Sequence, residues 1–471
     1  MEVPQRRLWS WAAAAVAIGT FFYFAYYRVR YIGGCDSSAY LVESWRLRGL
    51  DVGLTRDPSV PHQGALVPLC MVEHAHVVRS FFPPGLSLLL AGAGLLGLEF
   101  YVTPALGALS GFVMFLLARS RAGSPLALAT MMAWLATPLA LWGSTQTMSD
   151  LPAATFLLVA LFAADQKRTL VSGLVVGWAM GVRPETALFL PALIAFFPSR
   201  GEVLQLAQGV VLAGLGWLAF VLVSFGSLHL PYAGNLAELN GENFGRQATF
   251  LIAETARQHA PVVALALVAL LRSPRVCLPY LLWFAPFVVL HALWRVPYDA
   301  WWHARFVLPA LPALFLLAAL GAASLGDALR AGSVRYALGG IILAGYLVWC
   351  FTFPPASIHR VTDWDEHYAR ESRRVAARLP KEALVGAVTY SAPLRYYGGV
   401  ETFLWCHVDA PALIRWALEA GRPVYAVLEG PVDLCEGRYS SLLPSLDLIL
   451  AEELSFGRRL VRLAHAGRGA P

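Results

Sequence analysis

The sequence predicts a polytopic α-helical membrane protein of about eleven transmembrane helices with a small C-terminal α/β domain on the outer side of the membrane. Three observations carry this. Of 471 residues, 58% are hydrophobic and only 14% charged, with a mean hydropathy of +0.58, whereas soluble domains are about 25% charged. Apolar runs able to cross a bilayer recur from Leu8 to residue 353. The composition then changes abruptly to alternating amphipathic and β-rich segments.

Each span follows from its run. "MEVPQRRLWS" leads into Leu8–Tyr27 without a small-residue cleavage site, so this run is expected to stay as a transmembrane helix rather than leave as a signal peptide. Further runs lie at 103–118, 124–142, 151–164, 169–182, 184–197, 204–225, 259–271, 276–294, 304–323 and 335–353. The run 84–98, "PGLSLLLAGAGLLGL", reads either as a span or as an interfacial helix. Charge decides between them. If 84–98 does not cross and the N-terminus is cytoplasmic, the inner loops carry Arg6/Arg7, Arg119/Arg121, Lys167/Arg168, Arg200, Arg272/Arg275 and Arg330/Arg335, as the positive-inside rule asks. The outer loops are then 28–102 and 226–258, the membrane part is 1–353, and 354–471 forms a separate outer domain. This places the protein in the inner, cytoplasmic membrane, with its active site and C-terminal domain on the periplasmic side.

In the tail, "DEHYARESRRVAARL" and "DAPALIRWALEAG" read as helices, and "ALVGAVTY", "RPVYAVLEG", "LDLILAEEL" and "RRLVRLAH" as strands, which makes a small α/β layer. It has neither a phosphate loop nor metal-ligand spacing, and a structural or lid role suits it better than catalysis. Cys35 and Cys70 fall in the first outer loop, Cys406 and Cys435 in the tail, and Cys277 and Cys350 in or near spans. Two pairs on an oxidising side suggest the disulfides Cys35–Cys70 and Cys406–Cys435, with buried free thiols as the alternative.

The net charge of +6 is scattered as short basic clusters between apolar runs, so no nucleic-acid partner is expected. The sequence has no Walker A, HExxH, GxSxG or paired CxxC motif, which leaves nucleotide hydrolysis, zinc proteolysis and serine hydrolysis without support. The candidate residues lie at outer membrane edges. Asp36 follows the first span, in "YIGGCDSSAYLVESW"; a carboxylate there ordinarily caps a helix, here one starting near Ser37 or Ser38. Asp150 repeats the arrangement in "TQTMSDLPAATF", with capping again the simpler role. Arg183 in "GVRPETALF" either pairs with Glu185 or holds an anionic headgroup, for which its guanidinium fork is suited. Arg305 stands in "YDAWWHARFVLPALP" beside His303, Trp301 and Trp302, tryptophans that fit an interfacial belt or a sugar-stacking surface. Tyr40, and Arg79 ahead of "FFPPGLSLLL", share the first outer loop with Asp36. His229 and Tyr232 in "SLHLPYAG" are weaker candidates for the same cavity.

These residues suggest a family. Asp36, Tyr40 and Gly49, then "FFPPGLSLLLA", "ATPLALWGSTQTMSDLPAATFLLVAL", "GVRPETALFLPAL" and "ARFVLPALPALFLLAALG", in this order, resemble membrane glycosyltransferases of the GT-C class. The subgroup the sequence looks most like contains the bacterial relatives of protein O-mannosyltransferases and the lipid A aminoarabinose transferase. The resemblance implies transfer of a sugar from a polyprenyl-phosphate donor to a glycan, lipid or protein acceptor at the bilayer. Asp36 would be the catalytic base, and Asp150, Arg183, Glu185, His303, Arg305, Tyr40 and Arg79 would line the substrate site. Ser37 follows Asp36 where many members carry a second acidic residue, which leaves a divalent metal and the acceptor type open. The alternative is a transporter or flippase of a lipid-linked sugar, against which stand the few charges within spans and the lack of inverted repeats.

Overall fold

The structure, a computed structural model, describes residues 3–50, 60–74, 77–197, 199–226, 239–294, 301–328, 337, 341, 344–350, 358–405, 407–428, 446–454 and 458–465. Contacts divide the chain into two compact units, one of residues 1–28 and 98–362, the other of residues 29–97 and 363–471.

The first unit is helical. Among the described residues, five helices are long and apolar enough to cross a membrane, or six when the broken pair Ser124–Leu135 and Pro138–Thr145, bent by 63°, counts as one span. The break has a local cause. Pro138 cannot donate to the preceding turn, and Thr137 restarts the helix by accepting a hydrogen bond from the Ala140 N–H at 3.1 Å. The apolar helices Thr169–Val182 and Pro184–Ile194 are shorter than a full span.

Leu311–Ala328 is buried along most of its length, whereas Arg200–Phe225 exposes Leu204, Val211, Leu212, Leu215 and Val223. An apolar face open on that scale suits lipid rather than water. Glycines set the contact between Thr169–Val182 and Arg200–Phe225. A Cβ on Gly173 would strike the Leu206 carbonyl, and one on Gly209 the Leu170 carbonyl, so the two backbones meet without side chains between them. The Trp217 indole N–H donates to the Gly177 carbonyl at 2.8 Å across the same seam. The helix Phe244–Arg272 is kinked at His259 (φ −134°, ψ 30°), two residues ahead of Pro261.

The second unit joins residues 29–97 to the tail. The loop contributes the helix Cys35–Leu47, the antiparallel hairpin of β1 (Met71–His74) and β2 (Val77–Ser80), and the helix Gly85–Gly94. At 1.5 Å per residue, the ten residues of Gly85–Gly94 cover about 15 Å, half the thickness of a hydrocarbon core. Cys35 and Cys70 form a disulfide. Cys406 and Cys435 lie outside the described residues, as do His229 and Tyr232. Cys277 and Cys350 are free thiols.

The tail supplies β3 (Leu384–Ala387), β4 (Glu401–Leu404), β5 (Val424–Leu428), β6 (Leu446–Glu453) and β7 (Arg459–His465) in the order β4-β3-β5-β7-β6. β3 is parallel to both β4 and β5; β7 is antiparallel to β5 and β6. The helices are Ile358–Ala376, Ser391–Gly398 and Ala410–Glu419. The sequence patterns named four of the five strands and missed β4 and Ser391–Gly398, whose runs are too short to show a period. Every residue of β3 is buried because the sheet packs on both faces. Among the described residues, one core of this unit includes loop residues: Val60, Ala65 and Leu66 pack with Leu384, Phe403, Trp405 and Leu413. The Arg395 guanidinium donates to the Leu66 carbonyl at 2.8 Å, and the Tyr397 hydroxyl accepts from the Ile32 N–H at 2.6 Å. A boundary at residue 353 therefore separates the tail from a loop that shares its core.

Candidate active site

Asp36 lies in the first turn of the helix Cys35–Leu47 and is half-buried. The expected capping role does not hold in the form foreseen. The helix starts two residues earlier than Ser37, Gly34 occupies the N-cap, and no side chain caps it. The carboxylate still gains from the helix dipole at this end. Asp36, Tyr40 and Glu43 follow at i, i+4 and i+7 and so share a face. Tyr40 is buried and stacked on Phe82 with centroids 5.0 Å apart, so the "FFPP" segment packs on that face. Glu43 pairs with Arg46 and accepts from the Ser80 N–H at 3.3 Å. Arg79, on β2, is half-buried; burial and the Arg46 charge lower its pKa, and Glu43 opposes this.

Among the described residues, Cys35, Asp36 and Cys70 are the one cluster of potential metal ligands. With both sulfurs in a disulfide it offers a single carboxylate, too few donors for a divalent cation.

The second candidate region lies within the helical unit. Asp150 is the first residue of the helix Asp150–Asp165 and is buried, but it does not cap it. Its carboxylate instead pairs with Arg183, which also binds Glu185 through Nε at 2.6 Å and Nη2 at 2.5 Å. All three side chains are buried, so the guanidinium is shared by two carboxylates across 33 residues of chain. Arg183 was expected either to pair with Glu185 or to hold a phosphate; the geometry is that of the pair.

Arg305 is also buried, in the 3₁₀ segment Trp301–Ala310. Its Nη1 lies 2.8 Å from the Met148 sulfur, and its guanidinium stands over the rings of Trp142 (5.4 Å) and Phe306 (5.0 Å). Phe306 is a hub. His291 stacks on it at 5.3 Å, His303 at 6.3 Å, and the Arg183 guanidinium lies 5.9 Å from it. Trp301 packs on Trp142 at 6.3 Å; the Trp302 side chain lies outside the described residues. The structure thus gathers Asp150, Arg183, Glu185, His303 and Arg305 in one region, with Asp36, Tyr40 and Arg79 in the other unit.

Sequence reasoning missed His291 and Gln146. His291 sits inside an apolar run, where an ionisable residue is by itself a pointer to function. Gln146 is buried in the quoted "TQTMSD" segment, where a polar residue reads as loop.

No protein-family model and no curated protein matches the sequence. Among solved structures, ArnT from Cupriavidus metallidurans bound to undecaprenyl phosphate superposes with a TM-score of 0.64 at 17% identity, over 98% of this chain and 99% of that one. ArnT in the apo state gives 0.59 at 17% identity, over 97% and 98%. The archaeal oligosaccharyltransferase AglB from Archaeoglobus fulgidus, in complex with an inhibitory peptide and a dolichol-phosphate, gives 0.54 at 11% identity, over 89% and 69%. At such identities the likeness is one of fold: the chain shares the fold of ArnT and of AglB.

Proposed function

We propose that the chain transfers a sugar from a polyprenyl-phosphate-linked donor to a hydroxyl of a glycan, lipid or protein acceptor at the outer face of the inner membrane, with inversion at the anomeric carbon. The observation that carries this reading is the fold shared end to end with ArnT bound to undecaprenyl phosphate. In this reading about eleven helices cross the bilayer, some of them shorter than an isolated span needs. The ten-residue helix Gly85–Gly94 does not cross, which agrees with basic loops on the inside.

Asp36 takes the proton of the acceptor hydroxyl while that oxygen attacks the anomeric carbon. The bond from that carbon to the phosphate oxygen breaks, and polyprenyl phosphate leaves with the electron pair. General-base help of this kind contributes about 10²–10⁴-fold. Arg305 stabilises the charge gathering on the departing phosphate. Arg183 serves differently: it holds Asp150 and Glu185 in place. The test is transfer of radiolabelled sugar from polyprenyl-phosphate donors in membranes containing the full chain. Wild type should label an acceptor fraction, and Asp36→Asn should lose at least about 100-fold of that rate while folding normally. Equal transfer by Asp36→Asn would remove the carboxylate from the mechanism.

A further inference from the structure

Two polar side chains of the helical unit, each one residue removed from a contact of Arg305, are buried with unpartnered ring or amide atoms. Gln146 is 1% exposed, and both its Oε1 and its Nε2 lack a hydrogen-bond partner. His291 is 4% exposed, and its Nε2 lacks one as well. Buried carboxamides and imidazoles are nearly always paired, so two such groups in one region call for a ligand or ordered water. Each is joined to the same cation through one intervening residue. Gln146 ends the helix Pro138–Thr145, and its carbonyl accepts from the Met148 N–H at 3.0 Å, the residue whose sulfur touches Arg305. His291 stacks on the ring of Phe306 at 5.3 Å, and the Arg305 guanidinium stands over that same ring at 5.0 Å.

We infer that Gln146 and His291 read the hydroxyl groups of the sugar carried next to a phosphate held by Arg305. A carboxamide donates and accepts at once, which matches adjacent hydroxyls, and the imidazole adds one more partner. A second anion suits this lining poorly. Two buried carboxylates, Asp150 and Glu185, already share one guanidinium nearby, which leaves the neighbourhood short of positive charge. A site whose buried polar groups are completed only by a hydroxylated ligand discriminates strongly against a ligand without those groups. The inference rests on the transferase reading for its choice of substrate, but binding alone tests it.

The experiment measures affinity of the full chain in lipid nanodiscs for undecaprenyl phosphate, bare or carrying glucose, mannose, galactose or arabinose. Wild type should bind at least one sugar-bearing lipid about tenfold more tightly than the bare one. Gln146→Leu should bring the two within about twofold while keeping the affinity for bare lipid. If Gln146→Leu does not fold, His291→Phe, which keeps the ring stack, and Gln146→Asn carry the same comparison. No sugar preference in wild type, equal loss of both affinities in the variants, or variants identical to wild type (a buried water completing the carboxamide) would each overturn the inference. Sugar-selective binding by a chain that transfers no label would instead sink the transferase reading and leave this one standing.

Discussion

Two arginines of similar burial do different work, and each has its own consequence. Arg183 compensates Asp150 and Glu185, so removing it strands two buried carboxylates. Breaking a buried pair in this way costs about 3–5 kcal/mol, and Arg183→Met should lower the melting temperature of the purified protein or prevent its accumulation. Arg305 meets the Met148 sulfur and the rings of Trp142 and Phe306. Arg305→Gln should bind undecaprenyl phosphate at least about tenfold more weakly in a nanodisc titration, with its folding checked by size-exclusion chromatography. In the tail, the Tyr390 hydroxyl meets His367 Nε2 at 2.8 Å, Glu371 at 3.0 Å and Arg458 at 2.9 Å, all buried. Burial holds the His367 imidazole below its ordinary 6.5, Glu371 pulls it back up, and Arg458 and Arg370 lower it further. The unfolded chain then binds the proton first as pH falls through 6.5, so the contribution of His367 is complete above that value and declines below it. Melting curves from pH 7.5 to pH 5 should show this decline in wild type and less of it in His367→Gln.

At the scale of elements, two contacts depend on features that a helix or loop prediction does not weigh. The seam between Thr169–Val182 and Arg200–Phe225 exists because Gly173, Gly177 and Gly209 carry no side chain. Gly173→Leu should force the helices apart, with loss of the folded protein in size-exclusion chromatography; Ser172, buried and bonded to the Ala160 carbonyl on the opposite side, marks the different packing face next to it. The disulfide Cys35–Cys70 ties the start of the helix carrying Asp36 to the residue before β1. Closing 35 residues of chain restricts the unfolded state by about 4 kcal/mol in the loop-entropy description. A Cys35→Ser/Cys70→Ser variant should melt lower, as should wild type under reductant, with transfer falling at temperatures where the wild-type loop is still folded.

Over the whole chain, the second unit is discontinuous. Residues 29–97 and 363–471 share the core in which Leu66 packs with Phe403 and Trp405, and Trp45 stacks on Tyr396 at 5.1 Å. A chain ending at residue 357 would expose Val60, Ala65 and Leu66 and lose the Arg395 bond to Leu66. Truncation there should make the loop around Asp36 sensitive to protease and abolish transfer, although Asp36 and every residue of the helical unit's cluster are retained. A truncated protein with full transfer and a protected loop would refute this.

The sequence by itself determined the membrane class, because apolar runs of bilayer length are a local property that needs no partner to be seen. It also determined most of the tail's alternating elements and the Cys35–Cys70 pairing as one of two options, and it singled out Asp36, Asp150, Arg183, Glu185 and Arg305 as candidates. Arg183 and Glu185 were legible as a pair because only Pro184 separates them. The tie of Arg183 to Asp150 was not, since the two lie 33 positions apart and only helix packing closes that distance. The same holds for His291 and Gln146, whose importance lies in what does not touch them, and for the first loop's core, built from residues some three hundred positions apart. Local patterns record which face of a segment shuns water; which segments then meet, and which polar groups are left to a ligand, is decided only when the tertiary structure brings them together.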